Sequence, residues 1–294
     1  MQSDVNRKKI AVTTSDKTTQ CYVEIEKWDT ANERAWLWVK VPSIISTTDT
    51  ELYFYYDKDH VDNTDYIGDI GDGPAQNVWA DWKTVCHMAQ SADSGEIDSV
   101  TGSMDYVKTG AVTSVDGKIG KARGSTNGDS NYLVKSATGF PDFRPITVMA
   151  WLKFESWLTG YDRPFSREPS GSGGLDWECG SSTNYKLRWW VGGSFDSNTA
   201  LTLGTWYFVV TTYVNPTTTA RIYINGAEDK TGIMPDKTCS NPLYLFRSGK
   251  GINRGMNGYI DEFRMYNGEL SAAWIKASFE SERDHLVDFG SEET

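Results

Sequence analysis

Residues 201–229 read LTLGTWYFVVTTYVNPTTTARIYINGAED. The runs TWYFVVTTYV and ARIYINGAE are dense in β-branched and aromatic residues, the types that suit a pleated, half-buried surface. Between them stands Val214-Asn215-Pro216-Thr217, a turn signal, because proline fixes its own φ and biases the residue before it away from helix. Asn225-Gly226 accepts the positive φ angles of a type I′ turn, so the second run bends back into a third strand. The segment predicts consecutive antiparallel strands.

The same signature extends in both directions. ITVMAWLKF (146–154), YKLRWWVGG (185–193) and NGYIDEFRMY (257–266) read as further strands. Trp189 and Trp190 are adjacent in one of them, so their side chains must leave on opposite faces. Near the C-terminus SAAWIKASFESER (271–283) argues for a helix, with Ser271 as cap and Leu270 and Ile275 in the positions of a hydrophobic staple. Upstream, KKIAVTT (8–14), CYVEIEKW (21–28), AWLWVKVP (35–42) and ELYFYY (51–56) alternate apolar and polar residues. In AWLWVKVP, Leu37, Val39 and Val41 share one face while Trp36, Trp38 and Lys40 share the other, so one face is core and the other needs a second cover. From 57 to 117 the pattern weakens and reads as a long inter-domain connection holding one or two strands, in which the six aspartates between Asp57 and Asp72 form a solvated acidic loop. Many short strands with regular turns imply an all-β sandwich or jelly roll.

Composition narrows the function. The 294 residues carry a net charge of −11, which repels phosphate backbones and argues against nucleic acid as a partner. No apolar run approaches the ~18 residues of a membrane span, and the opening MQSDVNRKKI lacks the apolar stretch of an export signal. Four scattered cysteines form no C-x-x-C pair and read as buried thiols. Twelve tryptophans and fifteen tyrosines against three histidines favour stacking surfaces over proton-transfer chemistry.

Four stretches in order, GKIGKARGSTNGDSNYLVKS, ITVMAWLKF, residues 201–229 and GMNGYIDEFRMYNGELSAAWI, resemble the laminin-G-like branch of the concanavalin A-type lectin/glucanase jelly roll. Residues 35–59 resemble the later part of a small β domain of undefined function that often precedes such domains in bacterial, archaeal and phage surface proteins. The resemblance implies a fold: all-β, a laminin-G/concanavalin A-like jelly-roll sandwich with a smaller N-terminal β module and a short C-terminal helix. The expected division is a partial N-terminal module over 1–88, a linker over 89–117, the jelly roll over 118–280 and a tail over 281–294.

The functional expectation is a carbohydrate-binding, adhesin-like recognition module without catalysis, at an extracellular or virion surface, with a glycan or polysaccharide as partner. The alternatives are a structural virion protein contacting neighbouring chains and, less expected, a glycan-cleaving enzyme. Trp157, Tyr161, Trp177 and Trp190 are the expected sugar-stacking residues, while Trp151 and Trp206 are expected in the core. The resemblance further implies a structural calcium held by Asn127, Asp129 and Asp261. Retaining glucanases need two carboxyl groups ~5–5.5 Å apart, which their E-x-D-x-E strand supplies; no such run occurs, and its nearest approximations are Glu24-Ile25-Glu26 and Asp176-Trp177-Glu178.

Overall fold

The computed structural model describes residues 3–45, 47–103, 105–126, 129–137, 144–168, 174–215, 217–235, 239–250 and 254–292. Its body is two sheets packed face to face. The front sheet orders seven strands as Ser194–Ala200, Lys186–Val191, Leu175–Cys179, Asp162–Ser166, Leu243–Leu245, Tyr132–Lys135 and Val107–Thr109. The back sheet orders Ala227–Ile233, Thr219–Ile224, Tyr207–Val214, Ile146–Ser156, Asn257–Tyr266, Lys121–Ser125 and Thr113–Asp116, and Trp82–Cys86 also pairs with Asn257–Tyr266. Every neighbouring pair in these sheets is antiparallel. Between the sheets lies the main core, with Phe154, Phe165, Trp177, Trp189, Phe263 and Met265 among its members.

The turn chemistry behaves as the sequence predicts. Asn225 and Gly226 take φ of 52° and 79°, the left-handed values of a type I′ hairpin. A Cβ on Gly226 would also lie 2.8 Å from the Phe279 ring, so the position requires glycine twice over. Pro216 lies outside the described residues. Ser271 Oγ accepts the Trp274 N–H at 3.2 Å and caps the helix Ala272–Ser281, which packs Ile275 and Phe279 onto the outer face of the back sheet.

Trp151 is buried, but its partners are Phe208 and Phe279 in that outer layer rather than the core between the sheets. Trp206 is half-buried against the same layer. The segment 89–117, read from sequence as a linker, contributes Val107–Thr109 to the front sheet and Thr113–Asp116 to the back sheet. The sequence expects one or two strands in the connection, but these edge strands are only three and four residues long, too short for alternation to mark their bounds.

At the N-terminus Arg34–Val39, Val23–Asp29 and Ile67–Asp69 form a three-stranded sheet whose last pair is parallel, and Ile10–Thr14 pairs with Leu52–Tyr56. Ile10, Val12, Val23, Ile25 and Ile67 make a small core there. Leu37 and Val39 join it, whereas Trp38 on the other face meets Trp79, His87 and Arg264. The second cover demanded by AWLWVKVP is therefore supplied by the back sheet and the segment leading into it. All four cysteines are free and buried.

One irregularity shapes that junction. Along Asn257–Tyr266 the register with Ile146–Ser156 jumps from Met149↔Arg264 to Trp151↔Asp261, and Glu262 takes a φ of 52°. This β-bulge places an extra residue in the strand. Ile260, Phe263 and Met265 point into the core, while the consecutive Asp261 and Glu262, followed by Arg264, all turn outward to the N-terminal side.

Candidate functional site

The outer face of the front sheet is built by strict alternation. In Leu175–Cys179 the residues Leu175, Trp177 and Cys179 enter the core, so Asp176 and Glu178 leave on the other side. In Lys186–Val191, Leu187, Trp189 and Val191 enter the core and Arg188 and Trp190 share the outer face with the two carboxylates. The register sets Asp176 opposite Trp190, Glu178 opposite Arg188, and Arg188 opposite Asp196.

Arg163 organises this face. Its Nη2 lies 2.7 Å from Glu178 Oε1 and 3.2 Å from Glu168 Oε2, and its Nε lies 3.8 Å from Asp176 Oδ1. Glu168 also accepts Ser248 Oγ at 3.1 Å and pairs with Lys250. Arg188 grips Asp196 with two parallel bonds of 2.6 and 3.1 Å, a geometry that fixes the guanidinium plane. Its Nη1 reaches Glu178 Oε2 at 3.7 Å. Glu168, Asp176, Glu178 and Asp196 thus face Arg163, Arg188, Lys250 and Arg254, a mixed set without a dominant sign. Burial pushes the Asp176 carboxyl up to about 7, against the attraction of Arg163.

The aromatic expectations divide. Trp190 is half-buried on this face, and its Nε1 has no hydrogen-bond partner among the described residues. Tyr161, also half-buried, lies under two guanidinium groups, Arg188 at 5.7 Å and Arg254 at 5.1 Å from its ring centre. Trp157 packs on Phe154 and on the exposed Tyr185, with ring centres 4.6 and 5.3 Å away. Asp162 shapes the loop holding Trp157 and Tyr161 by accepting the Leu158 and Thr159 N–H groups at 2.9 and 2.7 Å. Trp177 corrects the sequence expectation. It is fully buried, donates Nε1–H to Thr211 Oγ1 at 2.9 Å and meets Phe165 edge to face, so no ligand ring stacks on it. Its neighbours Asp176 and Glu178 take the outward positions, and alternation leaves Trp177 the inward one. Arg163, Glu168 and Asp196 escaped notice because no motif marks them; cross-strand register alone brings them together.

Of the implied calcium set, Asp129 and Asp261 are described. Asn127 lies outside the described residues. Asp129 Oδ1 accepts the Arg254 N–H at 3.2 Å, whereas Asp261 Oδ2 accepts the Lys118 and Ile119 N–H groups at 2.7 and 2.9 Å on the back sheet's outer face. Asp129 and Asp261 are thus each engaged by backbone N–H groups of different segments.

Comparison with known proteins agrees with this architecture. The family model of the concanavalin A-like lectin/glucanases superfamily matches residues 126–276, and a domain of unknown function (DUF2341) matches residues 6–75. No curated protein matches the chain. Among solved structures, domain 4 of AbnA, an extracellular GH43 arabinanase from Geobacillus stearothermophilus in complex with arabinotriose, is 19% identical with a TM-score of 0.51, over 67% of this chain and 97% of that one. The receptor-binding domain of botulinum neurotoxin type G is 14% identical with a TM-score of 0.54, over 69% of this chain and 52% of that one. Trypanosoma rangeli sialidase in complex with sialic acid is 15% identical with a TM-score of 0.52, over 70% of this chain and 33% of that one. At these identities the likeness is one of fold.

Proposed function

The chain belongs to the concanavalin A-like lectin/glucanase superfamily, and from that premise we propose that it is a glycan-recognition module which binds its ligand on the outer face of the front sheet without cleaving it. The carrying observation is the juxtaposition of half-buried Trp190 and Tyr161 with the Arg188–Glu178 pair on one rigid surface. Sugars present apolar ring faces and hydroxyl edges. Aromatic rings take the former, and charged donors and acceptors fixed by their own ion pairs take the latter. The full burial of Asp176 supports binding over hydrolysis, since a proton carrier must touch the glycosidic oxygen. The arabinotriose on one structural neighbour makes arabino-oligosaccharides a first probe.

A glycan and polysaccharide screen on the full chain, with recovered sugars checked for cleavage, tests the reading. Intact binding that falls at least tenfold in Trp190→Ala and Arg188→Ala, with folding unchanged, supports it. Reducing-sugar release that disappears in Glu178→Gln would replace it with a hydrolase.

A second reading, contact with neighbouring chains at a cell or particle surface, draws on the Leu52–Tyr56 strand. That strand pairs on one side with Ile10–Thr14 and exposes Phe54, Tyr55 and Tyr56, an apolar edge suited to further pairing. Sedimentation velocity tests it: a stable symmetric oligomer that dissociates in Phe54→Lys supports it, and a monomer refutes it.

A further inference from the structure

On the opposite side of the molecule, between the N-terminal sheet and the bulged strand, five carboxylates (Glu24, Glu26, Asp261, Glu262 and Glu282) are buried, and among the described residues their cationic partners are His87 and Arg264. His87 sits at the centre, fully enclosed. Its Nε2 is 3.0 Å from Glu24 Oε2, and its Nδ1 is 2.9 Å from Glu262 Oε2 and 3.7 Å from Glu26 Oε2. Glu24 is already supplied with donors, Ser99 Oγ at 2.7 Å and the Trp79 indole N–H.

Glu26 and Asp261 each keep one oxygen that no donor reaches among the described residues. Glu26 takes one bond at Oε2, from Trp38 Nε1 at 2.8 Å, while its Oε1 is buried with no hydrogen-bond partner among the described residues; Asp261 Oδ1 is in the same condition. Both groups lie against the Gly117–Gly120 turn, where a Cβ on Gly120 would stand 2.4 Å from Glu26 Oε1 and one on Gly117 would stand 2.5 Å from Asp261 Oδ2. Unpartnered carboxylate oxygens in a dry site are costly and call for a cation.

We propose that this cluster is a structural binding site for one divalent transition-metal ion, zinc or manganese by its donor chemistry, with His87 Nδ1, Glu262 and Glu26 as ligands. These three groups offer ligand atoms within 4.8 Å of one another. A tetrahedral ion with bonds of ~2.0–2.1 Å needs ligand atoms about 3.4 Å apart, and the distances of 2.9 and 3.7 Å from Nδ1 bracket that value. Glu24 completes the design. With Nε2–H donated to Glu24, Nδ1 is the nitrogen turned towards Glu262 and Glu26 and takes the metal on giving up its own proton, the outer-shell carboxylate orienting the ring as in metal-bound histidines. An imidazole nitrogen with carboxylate oxygens suits zinc or manganese better than calcium, whose sites are built from oxygen alone. The ion ties Glu26 of the N-terminal sheet, His87 after Trp82–Cys86 and Glu262 of the jelly roll into one unit, so its binding energy is folding energy.

The test uses the full chain, unfolded in denaturant with chelator and refolded in metal-free buffer, then titrated with Zn2+ or Mn2+ and assayed for bound metal and melting temperature. The expected result is one ion per chain, a higher melting temperature that chelator reverses, and uptake at least tenfold weaker in Glu262→Gln and Glu26→Gln. Glu24→Gln, outside the coordination sphere, is expected to weaken uptake ~10–100-fold. Should Glu262→Gln fail to refold, Co2+ uptake by the wild type replaces it, with the visible spectrum reporting nitrogen and oxygen ligation. If the refolded wild type takes up neither ion and its stability is indifferent to both, or if it binds metal that Glu26→Gln retains at full affinity, the proposal is wrong and His87 is a doubly protonated bridge between Glu24 and Glu262.

Discussion

Replacing Asp176 by Asn removes a charge from the most enclosed point of the front sheet's outer face. The Asp176 carboxyl, ordinarily near 3.8, is pushed up to about 7 by burial, with Arg163 opposing and Glu168 and Glu178 adding repulsion. A group that titrates higher in the folded chain than in the unfolded one costs nothing below pH ~4, where both states hold the proton. Its cost grows as the pH climbs towards 7 and is constant above. At 1.36 kcal/mol per pH unit, the gap between 3.8 and about 7 amounts to about 4 kcal/mol. Asparagine is nearly isosteric and never ionises. Asp176→Asn is therefore expected to unfold at about the same urea concentration as the wild type near pH 4 and to exceed it progressively up to pH ~7, gaining at most about 4 kcal/mol by pH ~8. Urea unfolding followed by tryptophan fluorescence at four pH values measures this. A variant whose stability difference from the wild type is the same at every pH would show that the carboxylate is not held in a desolvated site, and the account of this face would fail with it.

Other consequences are checked more briefly. Trp177→Ala is expected to cost about 3–5 kcal/mol, the toll of truncating a large buried aromatic, with about 1 kcal/mol more for the lost bond to Thr211; a variant that keeps its stability but loses ligand would restore Trp177 to the binding face. Ser271→Ala should lower stability by about 1 kcal/mol through loss of the helix cap, read from the urea midpoint. Gly226→Ala combines a φ of 79° with a contact on Phe279, and thermal unfolding should show a loss of more than about 1 kcal/mol. Glu282→Ala strands Arg264 and the Trp151 indole N–H, which both donate to it in the buried layer beneath the helix; about 3–5 kcal/mol is expected, and a near-neutral change would mean that water reaches Arg264.

Local rules made most of the architecture legible. Alternation in AWLWVKVP, the Asn225-Gly226 turn, the Ser271 cap and the four stretches of lectin-like sequence each depend on neighbours within a few residues, and period and turn chemistry are properties of a short peptide. The same rule placed Trp189 and Trp190 on opposite faces and marked Glu24-Ile25-Glu26 and Asp176-Trp177-Glu178 as paired carboxylates on strands. Sequence could not say what those pairs would face. Arg163 and Arg188 reach Glu178 through strand pairing between residues 10 to 17 positions apart, and His87 reaches Glu24 and Glu262 across separations of 63 and 175 residues. The turning of Asp261 and Glu262 to one face rests on a single extra residue in a ladder, set by register with Ile146–Ser156 rather than by any local pattern. Strand period is written in the chain, but which charges meet in the dry space between layers is decided only when the layers close.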